Sequence, residues 1–446
     1  MQQRARHRGT TAAGATAWQV VIGFGLVSLF ADMVYEGARA ITGPLLGQLG
    51  ASALVVGLVT GAGEATALVL RLVSGPLADR TGRYWSLTLL GYGLTAVCVP
   101  LLAITPLVGA AGLGLAITLI LLERTGKAIR SPSKTALLAD AAGSVGRGRG
   151  FGVHKFLDEL GAIAGPLLVS VLIATTGTIS PAMAWLAVPG AIAIAVLFVL
   201  RIRVPDTSVF EEQPRDVPPR PGAPSPTDGP APSRPTTAAA PGSPAGSAAP
   251  GARGWTRNWW GQTFGSGLPR RFFLFSGCSA LATGGLVTFG VISFHLVQAR
   301  VLPLAAVPVV YAAGQGASAL AALATGHGYD RWGPRVLYVL PVLVALVPVL
   351  AFTWTPWVAL LGVLAWGAAN GLQDSTVKAL VADLVGSSRR ATAYGVFAAI
   401  QGAAAIAGGT LAGWLYDTSL PTLVAVVAAS QVGTALLLRH TLADGR

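Results

Sequence analysis

Two stretches decide how this chain is read: GPLADRTGR, from Gly75 to Arg83, and GHGYDRWGPR, from Gly326 to Arg335. Both contain GxxxDRxG, and their aspartates, Asp79 and Asp330, stand 251 positions apart. A second set of matches recurs at a constant offset of 243. It pairs TALLAD, ending at Asp140, with KALVAD, ending at Asp383, then FGV at Phe151 with YGV at Tyr394, and AIAGP at Ala162 with AIAGG at Ala405. In-phase matches of this kind mark a duplicated unit.

Outward from these loops the sequence is a series of apolar runs. A bilayer-spanning helix needs about 20 mostly apolar residues, and runs of that kind fall at 17–47, 53–77, 84–105, 107–139, 151–176 and 181–203. They resume at 271–298, 304–327, 335–353, 356–385, 391–416 and 420–439. The fold expected is therefore an all-α membrane protein with twelve transmembrane helices in two pseudo-symmetric six-helix bundles. The bundles occupy 17–203 and 271–439, flanked by tails 1–16 and 440–446. Between them, 204–269 is rich in Pro, Gly, Ala and Ser, too poor in apolar surface to fold alone, and is expected to be a disordered linker. Its last part sets Trp255, Trp259 and Trp260 beside Arg257, Arg270 and Arg271, a mix that suits either a lipid headgroup region or an ordinary loop.

Composition agrees. Of the 446 residues 53% are hydrophobic and 11% charged, against roughly 45–50% and about 25% in soluble domains. The net charge of +13 follows from arginines gathered on one side of the membrane and does not call for nucleic acid. Arg4, Arg6, Arg8, Arg80, Arg83, Arg147, Arg149, Arg331, Arg335, Arg389 and Arg390 share that side with the linker, whereas the opposite loops hold Arg300. The positive-inside pattern then puts both termini in the cytoplasm of a plasma-membrane protein. The basic N-terminus leads into an apolar run carrying Asp32, Glu36 and Arg39 with no cleavage site, so it reads as a retained first helix. Cys98 and Cys278 are far apart in apolar runs, and no CxxC spacing calls for a metal or cofactor.

The loop after the second run resembles the best-known motif of the major facilitator superfamily, and the resemblance covers the chain apart from the linker. It implies two six-helix bundles about a central cavity that opens alternately to each side. It also implies gating by Gly75, Asp79, Arg80, Gly82 and Arg83, and in the second half by Gly326, Asp330, Arg331 and Gly333. The acid would meet a helix N-terminus and a nearby arginine; a tight turn with topology-setting arginines is the plainer reading. Gly152, Gly161, Gly165 and Pro166 match the fifth-helix motif of the superfamily's antiporters, although Val169 and Ser170 replace its final glycines. Close helix packing with a proline bend is the alternative there. ERTGKAIRSP lacks a phosphate-binding loop pattern, so energy would come from a gradient.

Ionisable residues inside a membrane cost at least ~2.5–3.5 kcal/mol each and face a cavity or one another. Glu123, Lys127, Arg130 and Lys134, at spacings of four, three and four, lie on one face of the fourth helix over roughly 16 Å of depth. Asp32, Glu36 and Arg39 form a face of the first helix, Glu64 and Arg71 one of the second, and His154, Asp158, Gly161 and Gly165 one of the fifth. Near-balance of acids and bases, with Arg124, Lys155 and Glu159 counted, points to an interhelical ion-pair network. The tenth helix adds Asn370, Asp374 and Lys378.

The reading reached is a secondary transporter of a small organic solute, not an enzyme: a monomer in the lipid bilayer, coupled to protons and working as an efflux antiporter. Asp32, Glu36, Glu123 and Asp158 are the candidate proton carriers. Arg39, Arg124, Lys127, Arg130, Asn370 and Asp374 line the cavity. An importer of an organic anion is the rival, with a membrane-embedded enzyme or a non-transporting sensor further off.

Overall fold

A computed structural model describes residues 16–210, 268–377, 380, 381, 384, 385 and 390–443. The tail 1–15, linker residues 211–267, Lys378, Asp383, Arg389 and residues 444–446 lie outside the described set.

With no water in a bilayer core, each segment must satisfy its own backbone, which the helix does. Twelve helices account for nearly all the described residues. The first six are α1 (Ala17–Gln48), α2 (Ala53–Thr81), α3 (Tyr84–Leu101), α4 (Gly112–Val145), α5 (Arg147–Thr176) and α6 (Ile179–Arg203). The second six are α7 (Arg270–Gln298), α8 (Val307–Trp332), α9 (Val339–Ala351), α10 (Pro356–Leu372), α11 (Arg390–Thr418) and α12 (Leu420–Ala443). The apolar stretch Tyr84–Val145 has 62 residues, about 93 Å if straight and three times the ~30 Å core. It folds back where Gly109 takes φ 60 and a short 3-10 segment replaces the helix. For that reason α4 begins at Gly112, later than the apolar pattern alone places it.

The duplication is visible in local geometry. Gly82 and Gly333 end α2 and α8 with φ of 62 and 65, values that favour glycine because it lacks a Cβ. A Cβ at Gly75 would meet Pro132 of α4 at 3.9 Å, and one at Gly326 would meet Ser375 after α10 at 3.6 Å. Pro132 and Ser375 are themselves 243 positions apart.

The halves are sealed together at the end of the molecule that carries the α1–α2 loop. There α2 and α11 cross with backbones touching, Gly57 on Gly409 and Gly413 on Ala53, while Gly43 of α1 rests on Gly290 of α7. Small residues permit this approach, and a side chain at Gly43, Gly57, Gly409 or Gly413 would collide with backbone. Asp417 at the end of α11 accepts from the backbone N–H groups of Ala53 and Leu54 at 3.3 and 3.0 Å, capping α2 from the opposite half. Ser170 of α5 donates to the Ala305 carbonyl at 2.6 Å. The apolar core is continuous across the halves at this end, through Ile41, Leu45, Phe289 and Ile292. At the far end the first half packs as a separate cluster around Phe24, Leu138 and Leu197.

Candidate functional site

The charged faces of α1, α2 and α4 meet midway along the first half. Glu36 and Arg39 approach to 3.8 Å on α1, and Arg39 donates to Glu64 of α2 at 2.7 Å. Arg124 of α4 reaches Glu64 at 3.5 Å and Glu123 at 3.6 Å, and donates to the Tyr35 hydroxyl. Glu123 and Arg124 are 4% and 7% exposed, so neither charge is left to water. The unbroken helix of α4 puts Lys127 and Arg130 one and two turns further along. Lys127 Nζ lies 3.7 Å from the centre of the Tyr35 ring, a cation–π contact. Arg130 stacks over Tyr92 at 4.4 Å, donates to Thr95 at 2.6 Å and lies 4.0 Å from Asp32. Thr95 in turn donates to Glu123 at 3.3 Å.

The network extends to α5. Asp32 and Asp158 face each other within hydrogen-bonding reach, and Asp158 is also held by Lys155 at 3.0 Å. Lys155 further pairs with Glu159 at 2.6 Å. His154 is bonded to Ser28 at 3.0 Å, and Ser28 also accepts from Lys134 at 3.0 Å. A small pocket opens beside the cluster, bordered by Tyr35, Arg39, Thr42, Leu119, Glu123 and Arg124.

A hydrogen bond carries the network into the other half. Tyr311 of α8, fully buried, donates to the Glu36 carboxylate. Sequence reasoning missed Tyr35, Tyr92, Thr95 and Tyr311, since an aromatic in an apolar run looks like core until a cation is placed on its ring. The one available signal was Tyr35 lying between Asp32 and Glu36 on α1.

Other candidates stand apart from the cluster. Asn370 donates to its own helix at Trp366 over 2.9 Å, and Asp374 is exposed on a π turn, Gln373–Val377, where its charge acts on Arg71. Of the fifth-helix motif, Gly161 and Gly165 pack against the backbone of Leu29 and Met33 on α1, whereas Gly152 faces open space. Pro166 lies inside the same helix. Asp79 is exposed and accepts from Tyr84 at 3.1 Å; Arg83 is also exposed. Arg331 stacks over its neighbour Trp332 at 5.8 Å, beside exposed Asp330. No group of three His, Cys, Asp or Glu side chains able to hold a metal occurs among the described residues.

The sequence model of the Major Facilitator Superfamily matches residues 24–409. The chain belongs to that superfamily. It is 48% identical over 431 residues to an uncharacterized protein of Mycobacterium tuberculosis, covering 96% of this chain and 94% of that one. An uncharacterized MFS-type transporter of Methanocaldococcus jannaschii is 30% identical over 144 residues, 32% of this chain and 35% of that protein. Among solved structures, a point mutant of the nucleoside transporter NupG superposes with a TM-score of 0.71 at 14% identity, over 95% of this chain and 99% of that one. A bacterial homologue of the human lysosomal transporter Spinster, inward-facing and unoccupied, gives 0.62 at 15% identity, over 98% and 96%. At such identities the likeness is one of fold. The protein is thus a multi-pass membrane protein with the superfamily's secondary-transporter architecture.

Proposed function

We propose that this protein is a proton-coupled antiporter that exports a small organic solute across the plasma membrane. The observation that carries the reading is the position of Glu36, 7% exposed, bonded to Tyr311 of the other half and 3.8 Å from Arg39. A carboxylate accepts the tyrosine proton more strongly than a neutral carboxyl does, so protonating Glu36 weakens a contact between halves. Asp32 of α1 lies within hydrogen-bonding reach of Asp158 of α5, which adds this pair of acids to the coupling path. Glu123 is tied to Arg124 and Thr95 and orders the cavity wall. With the arginine-rich loops and both termini in the cytoplasm, the sealed end is the external one, and the chain stands in its inward-facing state. The GxxxDRxG loops then engage when the cycle reverses, and bundles 17–203 and 271–439 rock as units. Export is favoured by the fifth-helix motif, whose Gly161 and Gly165 set α5 against the acid-bearing α1.

A second reading, import of an organic anion, draws on Lys127. Arg124 and Arg130 spend their donors on partners, while Lys127 has no carboxylate within 4.0 Å among the described residues and meets only the Tyr35 ring. Its ammonium therefore keeps donors for a substrate carboxylate or phosphate.

Proteoliposomes with an imposed pH gradient, screened against small organic solutes, test both. For the solute found, Asp32→Asn and Glu36→Gln are each expected to abolish gradient-driven movement and keep solute exchange. Gradient-driven accumulation intact in both variants would remove proton coupling through these acids. Accumulation of anions alone, lost in Lys127→Met, would establish the second reading.

A further inference from the structure

The second half buries hydrogen-bonding capacity that the charged network does not use. Gln401 of α11 donates through Nε2 to Ser279 of α7. Gln373, on the π turn after α10, accepts through Oε1 from Thr283 of α7 at 3.0 Å. Ser279 and Thr283 are four residues apart, about 6 Å along one face of α7, so both amides rest on that face. Each amide is held at one end only. Gln401 Oε1 and Gln373 Nε2 are buried without a hydrogen-bond partner, and Gln401 as a whole is 6% exposed. A buried polar atom left bare is costly, and here a bare acceptor and a bare donor stand on neighbouring turns.

Their place in the fold gives the pair a use. Just beyond Thr283, α7 is interrupted by extended backbone at Leu286 and Thr288. The Thr288 hydroxyl there meets Thr60 of α2 at 2.8 Å. Gly402, next to Gln401, packs on Ala65 and Val69 of α2. The amide pair therefore borders the seam between halves, beside a discontinuous helix of the kind that lines solute sites in transporters.

We propose that Gln401 and Gln373 form an uncharged recognition subsite for a carboxamide- or lactam-type edge. A ligand N–H donates to Gln401 Oε1, a ligand carbonyl accepts from Gln373 Nε2, and Ser279 and Thr283 fix the orientation of the two amides. This rests on the reading of the seam as the solute path and adds a feature of the substrate: a neutral donor–acceptor group beside whatever the charged cluster holds. A site built to pair both groups rejects an analogue lacking one of them. Gln431 of α12 supplies the control. Its amide reaches the Leu281 carbonyl at 3.3 Å, and Leu281 lies about 200° around α7 from Ser279, away from the pair.

The test uses the full-length protein in lipid nanodiscs with two probes of one shape, benzamide, which donates and accepts, and acetophenone, which only accepts. At millimolar concentration benzamide is expected to raise the unfolding temperature more than acetophenone does. That difference should vanish in Gln401→Met and in Gln373→Met and persist in Gln431→Met. Equal shifts by both probes in the parent protein, or a difference that survives in both variants, overturns the proposal and leaves water as the partner of the bare atoms. With Cys98 and Cys278 replaced by serine, Thr283→Cys should react with a water-soluble thiol reagent more slowly when benzamide is present; an unchanged rate also overturns it. Neither readout depends on a proton gradient, so failure of proton coupling in the transport assay would be seen separately.

Discussion

The two halves of the molecule follow one plan and bury opposite chemistries. In the first, Asp32, Glu36, Arg39, Glu64, Glu123, Arg124 and Arg130 neutralise one another around Tyr35 and Tyr92. In the second, the buried polar side chains among the described residues are amides, hydroxyls and an imidazole. Gln401 pairs with Ser279, and His295, 0% exposed, bonds to Tyr416 at 3.0 Å and to the Thr353 carbonyl at 3.4 Å. A charge network is stable only as a set, since each member removed strands a charge in low dielectric, whereas a neutral amide lost strands at most one dipole. The duplication therefore preserved helix packing and the GxxxDRxG loops while the interiors diverged, one half charged and the other neutral.

The sharpest way to break this contrast is to remove one member of each set. Arg124→Met strands Glu123 and leaves Glu64 with Arg39 alone, and is expected to cost about 3–5 kcal/mol, seen as loss of folded protein or a much lower unfolding temperature in detergent. Gln401→Met should stay within about 1 kcal/mol by the same measurement. Comparable losses in the two variants would erase the distinction between halves.

Tyr311→Phe keeps the ring and removes the hydroxyl that joins the halves at Glu36. Hydrogen bonds to charged groups contribute about 1.5–3 kcal/mol, so the ratio of the two open states should shift roughly ten- to hundredfold. Spectroscopic distances between labels on the halves would report it, and an unchanged ratio would make Glu36 a property of the first half alone.

Asp417→Asn weakens the cap that the second half places on α2. A carboxylate at a helix N-terminus is worth about 0.3–1 kcal/mol, so accessibility of the sealed end to thiol reagents should rise a few-fold without loss of fold. Tyr84→Phe, which removes an exposed bond to Asp79, is expected to change stability by less than about 0.5 kcal/mol. A larger loss of stability in Tyr84→Phe than in Asp417→Asn would reverse the order of the two ends.

Much was legible in order along the chain. Apolar runs of bilayer length, the two GxxxDRxG loops and the charge periodicity of α1 and α4 determine twelve helices, two halves and a shared charged face, because they depend on spacing within single helices. The sequence also places Glu123, Lys127, Arg130 and Lys134 on one face of α4, but not what each one meets. Which partner each charge takes, that Tyr35 is a platform for cations, and that Tyr311 reaches Glu36 over 275 positions are decided by tertiary packing. Those contacts depend on the rotation and crossing of helices distant in the chain, set by which glycines let backbones touch, and periodicity along one helix carries no record of it.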